Sequence, residues 1–313
     1  MSENPISPVP EMKPNLDSAR DAESLLPPKW SDWRLETTIE STYSTSVFRA
    51  ARKDKSGVSY SAIKVLRIPE SRKTARYIRE INIMLSLKGH PNIVSIEDYA
   101  LVRNNGSDIL LIRLEWLTPL YQYIAANGHD EAEAIRLGIE ICGALEYCRQ
   151  KGVLHLDIKP GNIFVSDKGL YKLGDFGISC FADELASMPP YGCTPVFSAP
   201  ELCQYISRVK SGDKDALPDR IGEKCDQYSL GLVLYWLTNR LRQPFMPDEI
   251  ITPRSKAEAI IRRMRGEPLP PPENASEELA EVLLTACAFS PEDRYSNPAE
   301  LAATLEKLVR KKT

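Results

Sequence analysis

His155-Leu156-Asp157-Ile158-Lys159-Pro160-Gly161-Asn162 is a polar, loop-like segment, and Gly174-Asp175-Phe176-Gly177 follows it after a short strand-like run. Together the two segments supply two carboxylates, one amide oxygen and one ammonium group. A carboxylate can accept the proton of a hydroxyl, a lysine can neutralise a phosphoryl group, and an amide oxygen with a second carboxylate can hold magnesium between phosphates. The spacing therefore indicates phosphoryl transfer, with two unrelated polar surface loops as the alternative.

The two segments resemble the catalytic loop and the Asp-Phe-Gly segment of the eukaryotic-like serine/threonine protein kinases, and the first is similar to the Wee/Myt branch and to bacterial members. Further landmarks follow in the family's order: a strand with Lys64, a helix with Glu80, and an activation segment, residues 179–201, that ends in Ala-Pro-Glu. The resemblance covers about residues 33–308. It implies an α+β, bilobal kinase fold, with a β-rich N-lobe that contains one helix and a mainly α-helical C-lobe.

Composition and apolar periodicity set the expected organisation. Residues 1–28 read as a flexible, proline-rich tail, 29–117 as the N-lobe and 118–313 as the C-lobe. The pattern predicts helices over residues 70–87 and 130–151. In the first of these helices, an apolar stripe is expected at Ile78, Ile81, Met84 and Leu85, and polar positions at Arg72, Lys73, Arg76 and Arg79.

Charge and cysteine content limit the partners and the compartment. The net charge is −3, and the one short basic run, residues 262–265, reads as a solvated helix face, so no nucleic-acid partner is expected. No stretch of about 18 apolar residues suggests insertion into a membrane. The seven cysteines are scattered without a Cys-x-x-Cys pair. A cytoplasmic protein with reduced thiols is the expectation.

The resemblance implies the chemistry of particular residues. Asp157 would orient and deprotonate the attacking hydroxyl, Lys159 would stabilise the γ-phosphoryl charge, and Asn162 would complete this catalytic set. Asn162 and Asp175 would hold Mg²⁺. Lys64, paired with Glu80, would contact the ATP phosphates, although an exposed acid on a helix is the alternative for Glu80. The full set expected to bind the nucleotide is Ile39, Val47, Ala62, Lys64, Glu80, Glu115, Leu117 and Phe164, of which Val47 and Ala62 are equally compatible with plain core positions.

Further positions bear on substrate and control. Lys159 together with Thr194 resembles kinases that act on serine and threonine of protein substrates. Leu156 stands where many members have an arginine that binds a phosphate on the activation segment, so control by phosphorylation there loses its electrostatic basis. By the same resemblance, Asp226 would hold the catalytic-loop backbone, and Arg294 would pair with the glutamate of Ala-Pro-Glu.

One segment departs from the family pattern. Glu40, Thr42 and Thr45 occupy positions where glycines normally cover the phosphates of ATP. The alternative function is therefore a pseudokinase, a binding or scaffold module with a disabled nucleotide loop. A small-molecule kinase on the same fold is disfavoured by the intact Ala199-Pro200-Glu201 sequence.

Overall fold

The protein was examined as a computed structural model, which describes residues 18–42, 45–68, 75–104, 106–247 and 249–312. The chain forms two compact units, Met1–Thr74 with Ile96–Trp116 and Ala75–Ser95 with Leu117–Thr313. The first unit is built on a β-sheet and the second is mainly helical. The predicted bilobal α+β kinase fold is confirmed.

The sheet of the first unit has five antiparallel strands in the order β1-β2-β3-β5-β4. Its strands are β1 (Trp33–Ser41), β2 (Thr45–Asp54), β3 (Gly57–Ile68), β4 (Ile96–Asn104) and β5 (Ser107–Glu115). Alternate residues of β2 and β3 are buried, as expected for a sheet with one covered face.

A short helix covers part of the sheet and corrects one expectation. Residues 18–28 are not a flexible tail: helix α1 (Ala19–Glu23) is capped by Ser18, and Pro28–Trp30 forms a 3₁₀ turn. Ala22 and Leu25 are 0% and 8% exposed in the core of the sheet, where burial offsets the entropy of ordering. The remainder of the predicted tail, residues 1–17, lies outside the described residues.

The glycine-free hairpin between β1 and β2 pairs up to its tip. Ser41 lies opposite Ser46, and the N–H of Thr42 donates to the carbonyl of Thr45 over 2.7 Å. Two register shifts in β1, between Leu35 and Thr37 and between Thr38 and Glu40, indicate local bulges. Glu40 and Thr42 are exposed.

The second unit is organised around α6, in which every residue from Cys225 to Leu237 is buried. Its helices are α2 (Ala75–Ser86), α3 (Leu120–Asn127), α4 (Glu131–Gln150), α5 (Pro200–Lys210), α6 (Glu223–Leu237), α7 (Pro253–Met264), α8 (Glu277–Ala286) and α9 (Pro298–Lys312). Its short strands are β6 (Thr118–Pro119), β7 (Val153–Leu154), β8 (Ile163–Val165), β9 (Tyr171–Leu173) and β10 (Cys180–Phe181). Within the described ranges, no helix has the length and apolarity needed to cross a bilayer.

Helix α2 differs from its predicted pattern. Ile81 and Met84 are buried, but Ile78 and Leu85 are 48% and 41% exposed. Arg79, expected on the polar face, is 5% exposed. The sequence predicted this helix as part of the N-lobe, residues 29–117, but in the structure it belongs to the second unit. The burial of Arg79 follows from its partners, the Met188 carbonyl and the Glu184 carboxylate, which lie in the second unit.

Candidate active site

The catalytic loop leaves β7 through a strained residue. Leu156 has φ of 64°, a left-handed conformation that costs free energy for a branched side chain. Asp226 on α6 stabilises it, because its carboxylate accepts the N–H groups of His155 (2.8 Å) and Leu156 (2.7 Å). Complete burial raises the pKa of Asp226, while His155 and the two N–H donors oppose that shift. The role expected of Asp226 is confirmed.

Asp157 lies at the centre of a polar cluster. Its Oδ2 accepts from Nζ of Lys159 at 2.7 Å and from Nδ2 of Asn162 at 3.1 Å. Its Oδ1 accepts from Oγ1 of Thr194 at 2.6 Å. Nζ of Lys159 also lies 3.3 Å from Oγ1 of Thr194. The structure thus brings the three predicted catalytic side chains together and adds Thr194 to them.

Asn162 and Asp175 provide the oxygen donors expected for a divalent metal. Nδ2 of Asn162 also donates to the Asp157 carbonyl (2.8 Å), so the amide is fixed by its nitrogen and keeps its oxygen for another partner. Asp175 is exposed and has φ of 59°. The donor set fits Mg²⁺, which is typically bound by one or two protein oxygens together with phosphates.

Gly174 is required by close packing before Asp175. A Cβ at this position would lie 2.7 Å from Cγ2 of Val94 and 3.1 Å from Cε2 of Phe164. The Gly174 carbonyl also contacts Nε2 of His155 at 3.0 Å, and its N–H donates to the Asn162 carbonyl at 2.9 Å. These contacts fix the backbone that presents Asp175 next to the catalytic loop.

Residues 193–198, which we name the substrate loop, are held by a residue that the sequence did not reveal. Arg263 on α7 donates from Nη2 to the carbonyls of Pro195 (2.6 Å) and Val196 (3.1 Å), and from Nη1 to that of Ser198 (3.3 Å). Arg263 is 4% exposed. The expectation that residues 262–265 form a solvated face is therefore wrong at this position, because three carbonyls replace the water around the guanidinium.

The end of the activation segment is fixed by a buried ion pair. Arg294 binds Glu201 with both nitrogens, at 2.6 and 2.9 Å, and the two side chains are 0% and 3% exposed. Arg294 also donates to the carbonyls of Lys224, Ala288 and Phe289. This pairing was predicted. The extra hydrogen bonds satisfy N–H groups of the Arg294 guanidinium that burial has removed from water.

The residues expected to contact the nucleotide are divided between the two units. On the first unit, β3 carries Ala62 and Lys64 with Val47 opposite Lys64, Glu115 ends β5, and Ile39 is 45% exposed on β1. The second unit contributes Glu80, Leu117 and Phe164. Glu80 is 4% exposed, so the alternative of an exposed helix acid is wrong. The pairing of Lys64 with Glu80 stays a prediction.

This fold and this cluster of side chains are those of a protein kinase. The family model described as the protein kinase domain matches residues 38–306, and the chain belongs to that family. Proteins of the family use ATP, typically with a divalent metal, and act on protein substrates.

The curated relatives are serine/threonine-protein kinases of bacteria. The chain is 30% identical over 253 residues to PknB of Mycobacterium leprae, covering 78% of this chain and 38% of that protein. It is 31% identical over 231 residues to a probable serine/threonine-protein kinase of Corynebacterium efficiens, covering 71% of this chain and 33% of that protein. PknK of Mycobacterium bovis is 28% identical over 259 residues, 80% of this chain and 21% of PknK. The chain thus spans well under half the length of these relatives.

Proposed function

We propose that this protein transfers the γ-phosphoryl group of ATP to serine and threonine hydroxyls of protein substrates. The observation that carries the proposal is the cluster of Lys159, Asn162 and Thr194 around the Asp157 carboxylate, with contacts between 2.6 and 3.1 Å to that side chain. No observation favours the pseudokinase alternative, since every catalytic residue expected from the sequence is present and those of the second unit are assembled.

The residues around Asp157 divide the chemistry between them. Asp157 accepts the proton of the attacking hydroxyl, and its two oxygens are held in place by donors on either side, which fixes the direction of attack. Nζ of Lys159 lies beside the same carboxylate, where a cation neutralises charge that develops on the transferring group. Thr194 bridges both side chains and belongs to the loop that receives the substrate.

The metal and the nucleotide complete the site. Asn162 and Asp175 would hold Mg²⁺, which shields the phosphate charges when bound. Lys64 on β3 would contact the phosphates, with Glu80 as its partner. Glu115 and Leu117 would bind the adenine through their backbone, and Ile39, Val47, Ala62 and Phe164 would contact it with apolar atoms.

The proposed partners are proteins that present an accessible serine or threonine, rather than nucleic acids or the interior of a membrane. Of the described polar clusters, the one around Asp157 is the site to which such a hydroxyl would be delivered. We propose the cytoplasm as the location, because it supplies ATP and keeps thiols reduced, and all seven cysteines are free.

The test is transfer of labelled phosphate from γ-labelled ATP to a generic protein substrate, followed by identification of the labelled amino acid. We expect label on serine and threonine that is abolished by a magnesium chelator and restored by added Mg²⁺. Label on tyrosine would contradict the assigned substrate class, and labelling that is insensitive to the chelator would contradict the roles of Asn162 and Asp175.

A further inference from the structure

A cavity of about 270 Å³ lies in the second unit, next to the arginine that holds the substrate loop. It is lined by parts of α6, α7 and α8 and by the segments that follow α7 and α8. Leu269, Leu284 and Phe289 contribute to mainly apolar walls, and the charged lining residues are Arg263 and Glu267. The volume is close to the range of about 300–1,000 Å³ that is typical of sites for small organic molecules.

Arg263 brings a buried cation to this cavity. Its side chain is 4% exposed, and its three hydrogen bonds go to the neutral carbonyls of Pro195, Val196 and Ser198. These bonds use three of the five N–H donors of the guanidinium. Within the described ranges of the chain, Arg263 forms no ion pair with a carboxylate. The cavity therefore offers an anion a positive charge that no acid of the described chain neutralises.

The acidic residue of the lining does not provide that neutralisation. Glu267 is exposed, and its carboxylate accepts hydrogen bonds from Nε of Arg262 at 2.7 Å and from Nη2 of the same side chain. Phe289 is also exposed, and its ring lies against Gly266, where a Cβ would be 3.1 Å from Cγ of the ring. The exposed side of the cavity thus carries a paired acid and an aromatic ring, and the buried side carries Arg263.

We propose that this cavity binds small organic molecules that combine one carboxylate with an apolar body, such as medium-chain fatty acids. The carboxylate pairs with the guanidinium of Arg263, and a charge-assisted contact of this kind is strong where water is excluded. The apolar body packs against Leu284 and Phe289 and removes their surface from water. The site is separate from the cluster around Asp157, and the inference does not rest on the proposed function.

Calorimetry on the full chain tests the proposal, with octanoate as the probe. We expect one site with a Kd of about 1 mM, which is modest for a ligand of about ten non-hydrogen atoms. Octanamide keeps the chain but lacks the charge, and acetate keeps the charge but lacks the chain. Each should bind at least about tenfold more weakly than octanoate. Absence of octanoate binding overturns the site, and equal affinities for octanoate and octanamide overturn the pairing with Arg263.

A cavity-filling variant locates the bound probe. Leu284→Trp places a larger side chain in the cavity, leaves Arg263 unchanged and should abolish octanoate binding. Leu217→Trp, the same substitution at a residue 66% exposed, is the matched control and should bind octanoate like the unchanged protein. Octanoate binding that survives Leu284→Trp overturns the cavity as the site.

A charge-removing variant tests the cation. Arg263→Gln should lower the affinity for octanoate about tenfold and leave that for octanamide unchanged, since only the ion pair is lost. Arg265→Gln, at an exposed position just after α7, is the control and should change neither affinity. Full octanoate affinity in Arg263→Gln contradicts the proposal. If that variant does not fold, the comparison of octanoate with octanamide on the unchanged protein decides the role of the charge.

Discussion

Arg79 of α2 binds the activation segment: its Nη1 lies 3.8 Å from Oε2 of Glu184 and donates to the carbonyl of Met188 at 3.1 Å. The guanidinium is buried, whereas Glu184 is partly exposed. Arg76, one turn earlier, places its guanidinium 4.3 Å from the ring centre of Tyr191. Two arginines of one helix thus contact the activation segment. Leu156, which is buried, stands where many members of the family have an arginine that binds a phosphate on this segment. The anion that the structure places next to Arg79 is Glu184, a carboxylate of the chain itself.

Arg79→Met should reduce both stability and transfer. The change removes the cation and leaves the Met188 carbonyl without its donor, at a cost of about 1–3 kcal/mol in the free energy of unfolding. We expect phosphoryl transfer to fall as well, because the activation segment loses its contact with α2. Urea unfolding and transfer assays measure the two effects. Arg310→Met, at a side chain 79% exposed on α9, is the control and should change neither quantity; equal behaviour of the two variants would refute the role of Arg79.

Two serines of the activation segment should respond differently to alanine. Ser187 is exposed and donates locally to the Glu184 carbonyl, so Ser187→Ala should leave transfer within a few fold of the unchanged protein. Ser179 is 2% exposed and donates to the His155 carbonyl at 3.0 Å. Ser179→Ala leaves that buried acceptor unpaired and should cost about 1–3 kcal/mol of stability. A large loss of transfer in Ser187→Ala that aspartate restores would show control by phosphorylation instead.

Arg263 should act on the protein substrate rather than on ATP. Arg263→Lys keeps the charge but cannot reach three carbonyls in a planar fork, so the substrate loop should loosen. We expect KM for a peptide substrate to rise about tenfold, which corresponds to about 1.4 kcal/mol, while KM for ATP stays unchanged. Arg262→Lys, at the half-buried neighbouring position, is the matched control. An equal rise in both KM values would indicate a general structural role.

The glycine-free hairpin should weaken nucleotide binding. Glu40→Gly combined with Thr42→Gly removes a carboxylate and a branched side chain from the tip of the hairpin, and we expect Mg–ATP to bind about tenfold more tightly, or about 1.4 kcal/mol. Calorimetry with a non-hydrolysable ATP analogue measures the change. The matched control is Glu36→Gly with Thr38→Gly, the same residue types at the same spacing earlier on β1. If the two double variants bind Mg–ATP with the same affinity, the residues at the hairpin tip do not limit nucleotide binding.

The sequence predicted the parts of the site that depend on local spacing. Asp157, Lys159 and Asn162 lie within six residues of one another, so the loop that brings them together is encoded in one segment. Asp226 and Arg294 were also predicted correctly, but only because the family resemblance supplied partners distant in the sequence.

Two arginines could not be predicted from the pattern. Arg79 binds a carbonyl 109 residues away, and Arg263 binds carbonyls 65 to 68 residues away. Every residue has a backbone carbonyl, so a carbonyl partner has no signature in the sequence. Both arginines were therefore predicted to be exposed to solvent. Helix α1 and the turn after it were missed for a related reason: their small apolar set, Ala22 and Leu25, becomes significant only against the sheet that they cover.

The central claim is that Asp157 is the proton acceptor of a phosphoryl transfer. The most direct measurement compares Asp157→Asn with Asp167→Asn, the same substitution at an exposed aspartate in the turn between β8 and β9, in transfer of labelled phosphate from ATP to a protein substrate. An amide keeps the volume but loses the basic oxygen, so Asp157→Asn should reduce turnover by about 10²–10⁴-fold while its unfolding transition stays close to that of the unchanged protein. Asp167→Asn should retain full turnover. Transfer by Asp157→Asn at the rate of the unchanged protein would contradict the account.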